Sequence, residues 1–342
     1  MKSLTVLVTA AGVPGAAALI RALRENGERN VRVVGTDMSA LAIGRHLCDA
    51  FHAVPPASDP SFVDALLEVC AHEDVDAVLP QSSVELPALA EARGRFGATV
   101  LVAGPDAVRR SNDKAETYAM LDAIGAPRPA WRRARGRSHV EQATRELGYP
   151  REEIAVKPLE SSGSRGFRIL SASVDPLEQL LTGRPGDAAA MRLEELLALL
   201  PEDGGPELVV MELARGEERT VDGIARGGEI ALGYPKTREG VRAGLAMSFR
   251  TLDDPGLMEI AASIVAELRL DHFFNIQLVG DMVIEVNPRI STIVYQEDLN
   301  LPYLGVKLAL GELDDVQLAA HAGRLRPSRK ALRYFDQLEW DE

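Results

Sequence analysis

The sequence predicts an α/β and α+β protein, in which a parallel, doubly wound sheet is followed by mixed strand and helix segments. Three observations carry this. Strand-like and helix-like runs alternate from Leu4 to Ala103, the pattern of a parallel sheet with crossover helices. A lysine, Lys157, ends the apolar strand Ile154-Ala155-Val156 directly before a glycine- and serine-rich loop. Finally, the stretch Asn275–Arg289 alternates apolar and oxygen-bearing residues on both sides of Gly280-Asp281.

Taken in order, Leu4–Thr9, Val31–Thr36, Ala77–Leu79 and Thr99–Ala103 read as strands. Ala16–Glu25, Pro60–Ala71 and Val84–Arg93 read as the helices between them. The first strand enters the glycine turn Gly12–Gly15 and the second ends at Asp37, a physical recipe for dinucleotide binding with an incomplete fingerprint. Gln81, Ser82, Ser83 and Glu85 follow the third strand, where ligands of such sheets sit.

Beyond this unit, Ser111–Ile124 reads as one helix stopped at Gly125-Ala126-Pro127. Ile154–Pro158 and Phe167–Leu170 are strands flanking the loop Ser161–Gly166, and Arg192–Leu200 is an amphipathic helix. Leu208–Glu212 is a strand, and Glu218–Ile224 with Glu229–Gly233 reads as an antiparallel pair. Tyr234–Arg242 puts Lys236, Arg238 and Arg242 in a loop that suits a carboxylate or phosphate clamp. Leu257–Leu268 and Pro302–Leu310 are helices, the latter before a polar tail.

The Asn275–Arg289 segment holds the chemistry. Side chains alternate faces along a strand, so Asn275, Gln277, Glu285 and Asn287 share one side and Ile276, Leu278, Ile284 and Val286 are apolar. A two-residue turn would pair Ile276 with Glu285 and mix the faces. A three-residue connection, Gly280 to Met282, pairs Gln277 with Glu285, and that is the expected register. A carboxylate flanked by carboxamides, with Arg289 just beyond, suits a hard cation beside transferring phosphates.

Composition narrows the partners. The 342 residues are 46% apolar and 26% charged, with formal net charge −13. Neither a polyanionic nucleic acid nor an anionic membrane is expected as a partner. The cations of Arg132, Arg133, Arg135 and Arg137 are expected on a solvated loop. Cys48 and Cys70 lack metal-ligand spacing and read as reduced thiols, which with a strand–loop–helix start rather than a signal peptide gives a cytoplasmic expectation.

Lys114, Lys157-Pro158, the Ser161–Gly166 loop, Glu212 with Glu218 and Asp222, and Gln277…Glu285-Val286-Asn287-Pro288-Arg289 together resemble the ATP-grasp superfamily. The nearest branch is the single-chain proteins similar to the carbamoyl-phosphate synthase large subunit. The resemblance implies a Rossmann-like pre-ATP-grasp domain over residues 1–110. An N-lobe with a lid loop and inserted helix would follow over 111–207, and a C-lobe with the metal hairpin over 208–342. It implies ATP and one or two Mg²⁺ ions as cofactors. Lys114 and Lys157 would meet the α- and β-phosphates, beneath a lid including Ser162, Gly163, Ser164 and Gly166. Met211, Glu212 and Leu213 would meet adenine, and Glu218 the ribose. Glu285, Asn287 and Gln277 would hold metal, and Arg289 with Lys157 would act on the transferring phosphoryl group.

The expected reaction is ATP-dependent carboxylate–amine ligation through an acyl-phosphate, releasing ADP and phosphate. Small amino-acid-like substrates are the default, with Arg238, Arg242, Lys236, Gln81, Ser82 and Glu85 as candidate contacts and a homodimer as the one assembly considered. Ser291-Thr292 stands where carbamoyl-phosphate synthases carry a second arginine. A carboxylate or carbamate kinase, a non-catalytic ATP-binding sensor and a nicotinamide-dependent oxidoreductase remain alternatives.

Overall fold

The computed structural model describes residues 3–159, 165–182, 190–242, 244–292 and 299–340. The N-terminal unit runs β1 (Leu4–Val8), α1 (Ala16–Arg24), β2 (Val31–Asp37), α2 (Gly44–Leu47), β3 (Ala50–Ala53), α3 (Phe62–His72), β4 (Ala77–Leu79), α4 (Leu86–Ala92) and β5 (Thr99–Val100). Its five strands are parallel, in the order β3-β2-β1-β4-β5. β1 lies at the centre, and its Val6, Leu7 and Val8 are fully buried, as a strand covered by helices on both faces requires.

Next come α5 (Pro105–Asn112), α6 (Lys114–Ala123), β6 (Trp131–Arg135), α7 (Arg137–Glu146), β7 (Ile154–Pro158), β8 (Arg168–Leu170), α8 (Pro176–Thr182), β9 (Ala190–Met191), α9 (Leu193–Leu199) and β10 (Glu207–Glu212). Five of these elements form a second sheet, β6-β10-β7-β8-β9. The single helix expected over 111–124 is interrupted at Asp113, whose carboxylate accepts from the amides of Ala115 at 2.8 Å and Glu116 at 3.1 Å. That N-cap starts α6 afresh and puts Lys114 on its first turn. The arginines at 132, 133 and 135 lie on edge strand β6, not on a loop. Arg132 pairs with Glu146 of α7 at 2.8 Å and Arg133 with Glu207 of the adjacent strand β10, so the following helix and the paired strand absorb the charge.

The C-terminal part holds β11 (Glu218–Arg226), β12 (Glu229–Thr237), β13 (Ser248–Arg250), α10 (Pro255–Leu268), β14 (His272–Val279), β15 (Met282–Asn287), α11 (Leu301–Ala309), α12 (Asp315–Ala322) and β16 (Lys330–Leu332). An antiparallel sheet runs β12-β11-β14-β15, and β13 pairs with β16. The expected pairing of Gln277 with Glu285 is present, but not through a three-residue connection. Val279 pairs with Met282 across a two-residue turn, and the register shifts between Gln277 and Leu278, which leaves Ile284 as the extra residue of a β-bulge. Gly280 takes φ +56° in that turn, and a Cβ there would lie 2.6 Å from the Arg215 carbonyl oxygen. Among the described residues no helix is long and apolar enough to cross a membrane.

Candidate active site

Two rungs of polar residues cross the third sheet on one face. Lys236, Thr220, Gln277 and Glu285 are consecutive partners, as are Tyr234, Asp222, Asn275 and Asn287. Asp222, Asn275 and Asn287 are buried. Asn275 donates to Asp222 and to Thr220 (2.6 Å), and its carbonyl oxygen accepts from Gln277 (2.9 Å) and Asn287 (3.3 Å). The network orients the carboxamides. The Glu285 carboxylate, in contrast, has no hydrogen-bond or ion-pair partner among the described residues, and it borders the cavity. An unpaired carboxylate beside the Asn287 oxygen fits a hard divalent cation. Gln277 fits less well, because Arg238 already donates to its side-chain oxygen at 2.6 Å.

A cavity of about 430 Å³ lies between the second and third sheets. Among the described residues five cations line it, Lys114, Lys157, Arg165, Arg238 and Arg289, against two carboxylates, Glu218 and Glu285. Such an excess of positive charge suits a triphosphate. Lys157 stands at the end of β7 with its ammonium 5.3 Å from the Phe167 ring centre. Burial pushes that ammonium below the ordinary lysine value, while Glu285 pulls it back up. Lys114 is buried and donates to the Leu159 carbonyl at 3.3 Å. Burial likewise lowers Arg289, opposed by Glu285 and Asp222. Ser162, Gly163 and Ser164 lie outside the described residues. Gly166 has φ +74°, and a Cβ there would meet the Pro158 ring at 2.7 Å, so the backbone at Gly166 lies tightly against β7.

The end of β10 gives the cavity its apolar wall. Met211 and Leu213 line it, together with Ala155, Phe167 and Ile169, while Glu212 is exposed. Glu218 lines the same space and is held by Arg238 at 3.2 Å. Tyr118 was not anticipated from sequence. Its hydroxyl lies 3.1 Å from both the Met211 sulfur and the Ile284 carbonyl oxygen, and so joins the apolar strand to the bulge of the hairpin. Burial raises its phenol well above the usual tyrosine value. Its only sequence signal is an aromatic residue on a helix that contains Lys114.

The candidate substrate contacts divide. Arg238 reaches the cavity, where it also donates to the Gly244 carbonyl at 2.9 Å. Arg242 is exposed and is not among the lining residues. Lys236 is not on a loop. It lies on β12, 1% exposed, paired with Asp222 at 2.5 Å and stacked over Phe249 at 4.6 Å. Strand alternation puts it on the same face as Thr220 and Asp222, where its buried pairing with Asp222 makes it part of the polar network. Gln81 and Glu85 are buried in the N-terminal unit, where Thr9 donates to Glu85 at 2.6 Å and Gln81 donates to the Thr9 carbonyl at 3.3 Å. Burial pushes the Glu85 carboxyl up to about 7, with Asp37 adding to the rise. Ser82 is half-buried and Ser83, beside it, accepts from Arg289.

Residues 6–102 match a family model described as PylC-like, N-terminal domain, and residues 205–329 match one described as ATP-grasp in the biosynthetic pathway with Ter operon. The carbamoyl phosphate synthase large chain of Deinococcus radiodurans is 25% identical over 253 residues, covering 69% of this chain and 23% of the relative. The arginine-specific large chain of Bacillus subtilis is also 25% identical, covering 69% and 22%. This chain therefore spans about a quarter of the length of those relatives. Among solved structures, an L-amino acid ligase from Bacillus licheniformis superposes with TM-score 0.68 at 15% identity, covering 96% of this chain and 79% of that one. N5-carboxyaminoimidazole synthetase from Staphylococcus aureus gives 0.63 at 14% identity, covering 91% and 78%. A Campylobacter jejuni biotin carboxylase complex gives 0.63 at 14%, covering 92% and 72%. These likenesses establish the fold.

Proposed function

We propose that this chain, whose residues 205–329 match an ATP-grasp family model, is an ATP-dependent carboxylate–amine ligase that works through an acyl-phosphate. The observation that carries this is one cavity in which Lys114, Lys157 and Arg289 face the unpaired carboxylate of Glu285. No side-chain nucleophile is needed, because positioning and charge neutralisation suffice for phosphoryl transfer.

Lys157 and Lys114 bind the phosphates, and the apolar wall at Met211 and Leu213 receives the base, with Glu218 turned toward the ribose. Glu285 and Asn287 would hold Mg²⁺, which would supply positive charge to neutralise the transferring group. Gln277 positions Arg238 rather than binding metal, as its hydrogen bond suggests. Arg289, fixed by Ser83, orients the substrate carboxylate and stabilises the γ-phosphoryl group as it moves onto it. The P–O bond to ADP breaks as the acyl-phosphate forms. An amine then attacks the acyl carbon, the C–N bond forms, and phosphate leaves. Small carboxylates and amines of the amino-acid type are the proposed substrates, and the three-part division at residues 110 and 207 is the proposed domain plan.

The test is ADP release with Mg-ATP, a panel of amino and other carboxylic acids, and hydroxylamine as surrogate amine. A carboxylate-dependent hydroxamate, seen by mass spectrometry, is expected. Mg-ATP binding with no ADP release on any acid would favour a sensor instead.

A further inference from the structure

We propose that the carboxylate substrate carries a short aliphatic side chain, seated against Val241, Leu245 and Ala246. This deepens the ligase reading above and rests on it. Beyond β12 the chain forms a small hairpin, with Glu239 paired to Ser248 and Arg242 to Leu245. The amides and carbonyls of Arg242 and Leu245 are bonded reciprocally at 2.9 Å, and Gly244 takes φ +77° at the tip. Arg238 clamps the tip through the Gly244 carbonyl. Arg242, Gly244 and Leu245 are thus each held by hydrogen bonds.

This tight turn points apolar groups at a polar space. Val241, Leu245 and Ala246 all line the cavity, and Val241 remains 36% exposed. The same cavity holds the guanidinium groups of Arg238 and Arg289. Apolar side chains left facing a charged cavity gain free energy only when an apolar ligand group covers them. A carboxylate fixed by an arginine, with a branched aliphatic group lying on Leu245 and Val241, satisfies both surfaces. A substrate with an acidic or cationic side chain would strand its charge against hydrocarbon. The adenine has its own apolar wall on the second sheet, from Ala155, Ile169 and Met211.

The experiment measures hydroxamate formation from isobutyrate, isovalerate, valine and leucine beside succinate, aspartate and lysine. Wild-type protein should give the highest kcat/KM on the aliphatic acids, with or without an α-amino group. Leu245→Trp should lower kcat/KM for those acids by about tenfold or more, with the ATP KM unchanged. Leu245→Ala should move the optimum to a longer chain. A preference for the charged acids, or Leu245 variants that shift the ATP KM and leave the acid KM alone, would overturn the proposal while leaving the ligase intact. No ADP release with any acid would instead overturn the ligase reading itself.

Discussion

Arg289, which follows the polar hairpin, donates from Nε to the Ser83 hydroxyl at 2.8 Å, across 206 positions of sequence. Ser83 is in turn tied through its carbonyl to the Asn112 amide at 3.3 Å. The guanidinium that faces the cavity is therefore aimed by the N-terminal sheet. Ser83→Ala should lower kcat roughly tenfold, the equivalent of one hydrogen bond to a charged group, and leave the ATP KM unchanged. Single-turnover kinetics would check this, and an unaltered kcat would show that the Ser83 hydrogen bond does not orient the arginine for catalysis.

Glu285→Ala should reduce turnover by about a thousandfold or more, since the metal carboxylate supplies several kcal/mol of charge stabilisation. The fold should be unaffected, because no described partner is lost. Wild-type-like kcat in a magnesium titration would remove the metal assignment.

Lys157→Ala should raise the ATP Kd by about ten- to a hundredfold, as expected for a lost charge-assisted contact to phosphate. Calorimetric titration with a non-hydrolysable nucleotide measures this directly. An unchanged Kd would place the phosphates elsewhere.

Lys236 offers the opposite expectation. Removing it strands the buried Asp222 carboxylate, so Lys236→Ala should cost about 3–5 kcal/mol of stability. Denaturant unfolding would show the loss. A change in substrate KM without a stability change would restore it as a binding residue.

Glu85 gives a pH signature. Its folded carboxyl titrates at about 7 against an ordinary 4.5, because it is buried. Between those values the folded state holds a proton that the unfolded state has released, so stability falls as pH rises through this window. Glu85→Gln should flatten that part of the thermal-stability profile, between about pH 4.5 and 7. An identical slope in both proteins would assign the dependence to other groups.

Much of the site was legible because its signals are local. The polar–apolar alternation of Asn275–Arg289 reflects a side-chain period of two, and the strands at Lys157 and Glu212 are short continuous apolar runs that end in a charge. The missed elements lacked such signals. β6 is an arginine-rich edge strand, stabilised by antiparallel pairing with β10, 72 or more positions away in sequence. The helix break at Asp113 depended on a single cap, which local helix propensity on either side concealed.

By itself, then, the sequence determined the order of strands and helices and the kinds of donor atoms gathered at the hairpin. Tertiary structure decided which of them meet. The Ile284 bulge, bonded to Tyr118, brought Glu285 opposite Gln277 although the turn has only two residues. Pairing between β11 and β12 buried Lys236 against Asp222, and the clamp of Arg238 on Gln277 and Gly244 set the turn over the cavity. Each outcome depends on contacts between distant segments, where packing and desolvation outweigh the local preferences that sequence periodicity records.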